Sequence, residues 1–289
     1  MAEISAKDVM TLREQTGAGM MDCKRALADA GGDAKKATDL LRERGLAKAG
    51  KREGRATSEG AIAIALDGRT GAMVEIGCET DFVARTDAFT ALGDKLARAV
   101  AADAKIASVD ALLAAPLDGE KVADRVANAI AVLGENVVVK RVARLAVGSG
   151  VVGGYVHAGG KLGVLVALEA AEGDASLAGL AKDIAMHIAA ADPSPVAVDR
   201  AGISPALLAA EREIYRKQAL ASGKPEKILD RIVDGKIDKF VAEVALVEQA
   251  FVKDPDKSIG TLIKEHGGNA IVSAFERFKL GQGEEARAE

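Results

Sequence analysis

Only two cysteines, Cys23 and Cys78, stand in 289 residues. A disulfide framework for a chain this long would need more, so the composition fits a reducing compartment. Histidine is as scarce: His157, His187 and His266 are isolated, with no i, i+4 pair and no cysteine cluster to complete a metal site. Metal catalysis is left without support. His187, inside AMHIAAA, reads as a packed helix histidine rather than a proton shuttle. Long apolar runs are missing too. The stretches around 126–133 and 137–147 are broken by Asn, Gly and charges, short of the roughly 18 residues a membrane span needs. The N-terminal MAEISAKD is polar and carries no apolar signal core, so the cytoplasm is the expected location. Excess positive charge is also absent. A net charge of −4 gives no global attraction to a phosphate backbone, and no direct contact with nucleic acid is expected.

The phosphate-binding loops fail as well. Gly148, Gly150 and Gly153 have the spacing of a dinucleotide-binding turn, but that motif needs a strand before and a helix after it. Here an alternating strand follows, so a glycine-rich turn entering a sheet is the better reading. Gly159, Gly160 and Lys161 lack the upstream glycine of a P-loop, and Leu162 stands where Ser or Thr belongs. The sequence therefore predicts no nucleotide site and no cofactor of its own. Carboxylates are plentiful, yet at this charge density a chosen acid pair means little. No catalytic constellation emerges.

What is present is a large apolar complement: 49% of the residues are hydrophobic, enough for a sizeable core and two or more domains. Residues 1–45 read as three short helices. Ser5 can cap the first, Gly17 and Gly19 interrupt before the second, and Gly31, Gly32 and Asp33 precede the third. Val9, Leu12, Met20, Met21, Cys23, Leu27, Ala37, Leu40 and Leu41 recur at helical spacing and are expected to share one small core. The charged, glycine-rich 46–59 reads as a linker.

From Gly60 the period changes to two. AIAIAL, the turn DGRTG and AMVEIGC form a hairpin signal, followed by a helical segment from Asp81 to Ala102. The pattern returns in VVGGYVH (151–157), a glycine-rich turn, LGVLVAL (162–168) and the helical LAGLAKDIAMHIAAA. Each half has a late strand, NVVVKRVARL at 136–145 and AIVSAFERFKL at 270–280. The expected fold class is α+β: a three-helix N-terminal domain, then a core of two antiparallel sheet subdomains with helices on one face. Between the second hairpin and its late strand, Ser204, Pro205, Gly223 and Pro225 punctuate an inserted antiparallel helical hairpin. Leu207, Leu208, Ile214 and Tyr215 are expected to pack on Ile228, Leu229, Ile232, Ile237 and Phe240. The predicted boundaries are 1–45 for the head, 46–59 for the linker and 60–146 for the first core unit. The second core unit takes 147–194 with 241–283, the hairpin 195–240 and the tail 284–289.

Two segments are specific: LREQTGAGMMDCKRAL at 12–27 and EIGCETDFVAR at 75–85. In this order they resemble the two signature regions of the bacterial-type translation elongation factor Ts family. GENVVVKRV (134–142), AMHIAAADP (185–193) and SGKPEKILDRIVDGKIDKF (222–240) look like the same family, so the resemblance covers almost the whole chain. It implies a guanine nucleotide exchange factor that acts by binding rather than as an enzyme. Its partner would be elongation factor Tu, GDP-bound and nucleotide-free, and the hairpin would be a coiled coil. Whether that hairpin serves a homodimer or touches the partner is not decided by any residue pattern.

Carried over residue by residue, the TDFV loop (Thr80, Asp81, Phe82, Val83) would intrude beside the partner's nucleotide and magnesium site. The alternative for the same residues is an ordinary helix N-terminus, with Asp81 favourable at the dipole and Phe82 simply core. Arg13, Met20, Met21 and Lys24 match positions that touch the partner's nucleotide domain, although one methionine has a rival place in the bundle core. His157 matches a contact near the phosphate-binding region and is otherwise a strand-end histidine in solvent. Val252 matches an apolar contact, but QAFVK at 249–253 departs from the QPFVM-like text of the family's enterobacterial members, so Lys253 is expected to alter a hydrophobic contact. The terminal GQGEEARAE does not match the C-terminal helical module of enterobacterial members, so contacts of that module are not carried over. Two other classes compete: an adaptor built on a ubiquitin-associated-like head, and an enzyme with a pocket between the sheets. TDFV and the paired sheets argue against the first, and the missing nucleophile and base argue against the second.

Overall fold

The computed structural model describes residues 4–52, 54–171, 175–222 and 225–282. Gly223 of the predicted break and the tail 284–289 lie outside the described residues.

Helix α1 (Ala6–Thr16) begins on a reciprocal cap: Ser5 Oγ accepts from the Asp8 amide while the Asp8 carboxylate accepts from Ser5 N–H. It ends at Gly17, whose φ of 68° is left-handed. Helices α2 (Met20–Asp29) and α3 (Ala34–Gly50) complete a three-helix head around Val9, Leu12, Cys23, Ala26, Leu27 and Ala37. Two expectations need correcting. Met20 and Met21 are 41% and 62% exposed, so neither belongs to the core. And α3 runs on to Gly50, into the predicted linker, because its far half lies against another helix.

The first sheet is a hairpin of β1 (Glu59–Asp67) and β2 (Thr70–Cys78), with Asp67 opposite Thr70 across a two-residue turn. The expected 81–102 helix is broken. Short α4 (Asp81–Ala84) stops, and Thr86 caps a new helix, α5 (Asp87–Ala102), by accepting from Phe89 N–H. Helix α6 (Val109–Ala114), the tiny ribbon β3 (Pro116–Leu117) and β4 (Glu120–Lys121), and α7 (Val122–Leu133) follow. Strand β5 (Val137–Ala146) then pairs antiparallel with β2, giving the order β1-β2-β5.

The second sheet repeats the plan. Strands β6 (Gly150–Val156) and β7 (Leu162–Glu169) form a hairpin, α8 (Ala175–Ala190) follows, and α9 (Pro205–Ala221) and α10 (Glu226–Val244) make the inserted pair. Then come β8 (Ala250–Phe251), β9 (Asp254–Ser258), α11 (Ile259–His266) and β10 (Ile271–Lys279), which closes the order β10-β7-β6. The fold is α+β.

Each sheet carries helices outside and meets the other inside, where Ile62 and Met73 pack on Leu165 and Phe278. Close approach depends on missing side chains. A Cβ on Gly163 would sit 2.6 Å from Ile62 Cγ2 and 2.8 Å from Met73 Sδ. One ion pair lies within the first sheet and faces the seam: Glu75, only 1% exposed, accepts from its cross-strand neighbour Arg141 Nε at 2.7 Å. Arg141 in turn donates to the Lys279 carbonyl and lies 4.2 Å over the Phe278 ring.

In the insertion, Ser204 Oγ accepts from Leu207 N–H and Pro205 opens α9. Leu229, Val233, Ile237, Val241 and Val244 are buried along one stripe of α10. That stripe carries the helix four residues past the expected limit of 240. Ile214 and Ile228, expected to pack within the pair, are exposed instead.

Candidate functional site

Strand β2 delivers the chain to α4 in two residues, Glu79 and Thr80, and both are braced from behind. Helix α7 ends at Gly134 in a left-handed cap (φ 80°), and the next residue is Glu135. Its Oε2 accepts from the amides of Glu79 at 3.1 Å and Thr80 at 2.9 Å, while Oε1 accepts from Thr80 Oγ1 at 2.6 Å. Asn136, itself buried, donates its amide to Glu79 Oε1 at 2.7 Å and its side chain to the Arg55 carbonyl. The Asn136 amide, and then Arg55, hold the Glu79 carboxyl below the usual range. Beneath the turn, the Cys78 thiol donates to the Thr80 carbonyl at 3.1 Å. Burial, then the Glu135 charge, push that thiol up to about 11, so it stays a donor.

On this brace the four TDFV residues divide their tasks. Thr80 caps α4 by accepting from Val83 N–H, and Val83 tucks against the first core. Phe82 does not: it is 80% exposed, which excludes the reading of Phe82 as core. Burying a phenylalanine is worth about 1.5–3 kcal/mol, so the fold leaves that much unrealised at this position. Asp81 pairs with Arg85 at 3.0 Å, both in solvent.

The remaining predicted positions lie on other elements. Arg13 is exposed on α1, and Met20, Met21 and Lys24 are exposed on the first turns of α2. His157 is exposed where β6 gives way to its turn, with Nδ1 3.1 Å from Tyr155 Oη. Val252, 43% exposed between β8 and β9, donates its amide to His187 Nδ1 at 3.3 Å. Lys253, placed by the sequence in a hydrophobic contact, pairs with Asp183 at 2.8 Å. Among the described residues no hydrogen bond or ion pair joins His157 or Val252 to the TDFV turn. Glu135, Asn136 and Arg55 were missed from sequence. GENVVV carries part of the resemblance, but nothing local to it names a partner more than fifty residues upstream.

Among the described residues no group of three or more His, Cys, Asp or Glu could hold a metal ion, and no helix is long and apolar enough to cross a membrane. Fold and site together define an α+β protein that presents apolar side chains to solvent from firmly held turns and helices. Residues 79–282 match the family described as Elongation factor TS. Curated proteins named Elongation factor Ts are similar over nearly the full length. That of Thioalkalivibrio sulfidiphilus is 46% identical over 288 residues, covering 99% of this chain and 95% of its own. That of Clostridium perfringens strain SM101 is 45% identical over 293 residues (99% and 96%), and that of Clostridium botulinum strain Langeland 43% over 295 (99% and 95%). The chain belongs to the elongation factor Ts family.

Proposed function

We propose that this chain is a guanine nucleotide exchange factor of translation elongation, which binds elongation factor Tu and promotes GDP release so that GTP can bind. Family membership supplies the role, and the observation that carries it to particular residues is Phe82, held out in solvent by a braced turn. No covalent chemistry is required. The factor must bind the empty partner more tightly than the loaded one, and nucleotide and factor then weaken each other equally. A thousandfold effect corresponds to about 4 kcal/mol, and Phe82 burying itself in the partner provides roughly 1.5–3 kcal/mol of it. Met20 and Met21, adaptable in shape, add apolar contact, while Arg13 and Lys24 orient the approach. His157 and Val252 extend the surface along the second sheet unit.

Asp81 would act on the magnesium and phosphate beside the nucleotide. Its charge is partly met by Arg85 in the free protein, so its full effect requires Arg85 to swing to another acceptor on docking. In the same reading the head, the two sheet subdomains and the inserted coiled-coil hairpin follow the family's domain plan, with the head of the ubiquitin-associated kind.

The test loads elongation factor Tu with a fluorescent GDP analogue, adds excess unlabelled GDP and follows release with catalytic amounts of the chain. Acceleration lost in the Asp81→Ala, Phe82→Ala double variant supports the reading. Acceleration that survives it refutes the assignment to this turn, and no acceleration by the wild type refutes the function.

A further inference from the structure

We infer that Glu135 is a positioning residue for nucleotide release, acting through Phe82 by fixing the turn that presents the ring; this rests on the exchange-factor reading above. Phe82 is 80% exposed, so its surroundings do little to fix the direction of its ring. Its aim is set by the backbone at Glu79 and Thr80, and there one carboxylate accepts both amides and the Thr80 hydroxyl. The hydroxyl bond has a second effect. With its proton committed to Glu135 Oε1, Thr80 Oγ1 turns a lone pair toward Val83 N–H and caps α4. A single side chain thus orders the entry to α4 on both sides of the ring. Charged acceptors make the stronger hydrogen bonds, and three donors on one carboxylate leave it few alternative arrangements.

The brace is also tied to the head. Glu135 follows the Gly134 cap of α7, and α3 and the turn after it dock on that same helix: Arg42 pairs with Asp124 at 2.7 Å, and Arg52 donates to the Ile130 carbonyl at 3.0 Å. Gly17, between α1 and α2, faces Val132. The exposed methionines of α2 and the exposed ring of Phe82 are therefore referenced to one helix, and Glu135 is the link on the Phe82 side. A rigidly referenced pair of contacts meets the partner with less ordering left to do.

The test uses the full chain and the fluorescent-GDP release assay with four proteins: wild type, Glu135→Ala, Phe82→Ala and the double variant. Glu135→Ala is expected to lower the maximal stimulated rate about tenfold, with the half-saturating concentration moved no more than about twofold. In the Phe82→Ala background it is expected to add no further loss, because it acts through that ring. Glu135→Gln, which keeps an acceptor for the amides, recovers part of the rate. Amide exchange at Glu79, Thr80 and Val83 is read on the same proteins and is expected to speed up in Glu135→Ala. Losses that multiply in the double variant, an unchanged rate in Glu135→Ala, or unchanged amide protection would each overturn the inference. If the wild type itself accelerates nothing, the exchange reading fails and this role for Glu135 fails with it, whereas multiplying losses under an active wild type sink Glu135 alone. Should Glu135→Ala not fold, Thr80→Val and Thr80→Ser carry the test: the rate falls in the first and is largely recovered in the second, and equal rates overturn the inference.

Discussion

Strands β1, β2 and β5 form one antiparallel sheet and β6, β7 and β10 another, but the polar residues buried at the junctions of these halves differ in kind. In the first, Glu75 is held by its cross-strand neighbour Arg141. In the second, His187 is held by Gln249 at 3.0 Å. Each sits at a junction. Arg141 reaches a carbonyl and an aromatic face of the other sheet, surroundings that favour a cation. Gln249 donates to the Pro193 and Glu243 carbonyls, at the two ends of the helical insertion, which leaves its oxygen for His187. His187 Nε2 must then carry the proton, and Nδ1 accepts from Val252. Charge joins the halves to each other, whereas a neutral network joins the second half to its insertion.

The largest effect expected from this contrast comes from Glu75→Ala. It strands a partly buried guanidinium between the sheets and should cost about 3 kcal/mol, read from urea unfolding, with Glu75→Gln costing clearly less. Equal costs would mean that a neutral acceptor recovers nothing and that the carboxylate's charge carries the whole effect. Gly163→Ala tests the seam without touching charge. Its new methyl meets Ile62 and Met73, so a loss of about 1–3 kcal/mol is expected; no loss would show that the sheets can part freely.

A third effect separates the halves by pH. Burial lowers the His187 pKa from its ordinary 6.5, so the unfolded chain binds the proton more readily than the folded one. Its contribution is complete above pH 6.5 and is lost as pH falls through the depressed folded value. The melting temperature should therefore decline less between neutral and mildly acid pH in His187→Gln than in the wild type, and parallel declines would remove His187 from the account. The smallest expected effect is a gain. Gly179 lies on the open side of α8 with nothing within 4 Å of a new Cβ, so Gly179→Ala should stabilise by roughly 0.5–1 kcal/mol, in contrast to Gly163→Ala.

Much of this architecture was legible in the sequence because its signals are local. Period-two alternation around DGRTG announces β1 and β2, and Ser204 with Pro205 announces α9. What escaped depends on distant residues or competing local rules. The 81–102 helix broke because Thr80 and Thr86 both act as N-caps within one apolar-periodic stretch. Leu46 to Gly50 looked like linker, but good helix formers next to a docking surface extend α3. Two adjacent methionines offered no clue that both would be exposed. At the candidate site, TDFV was visible while its brace was not, since Glu135 and Thr80 meet only after β5 has returned along β2.

The insertion also bears on the order in which the chain assembles. Its ends are fastened by a parallel bridge between Ala197 and Ala245, flanked by bonds from Val196 to Val244 and from Leu246 to Ala197. Strand β10 must find β7 across everything between Glu169 and Ile271. If the helical pair and its bridge form first, they act as a shortcut that roughly halves the chain left to close, easing that closure by about 0.6 kcal/mol. A segment inserted between two strands of one sheet would thus, during folding, bring the last strand within reach of its partner.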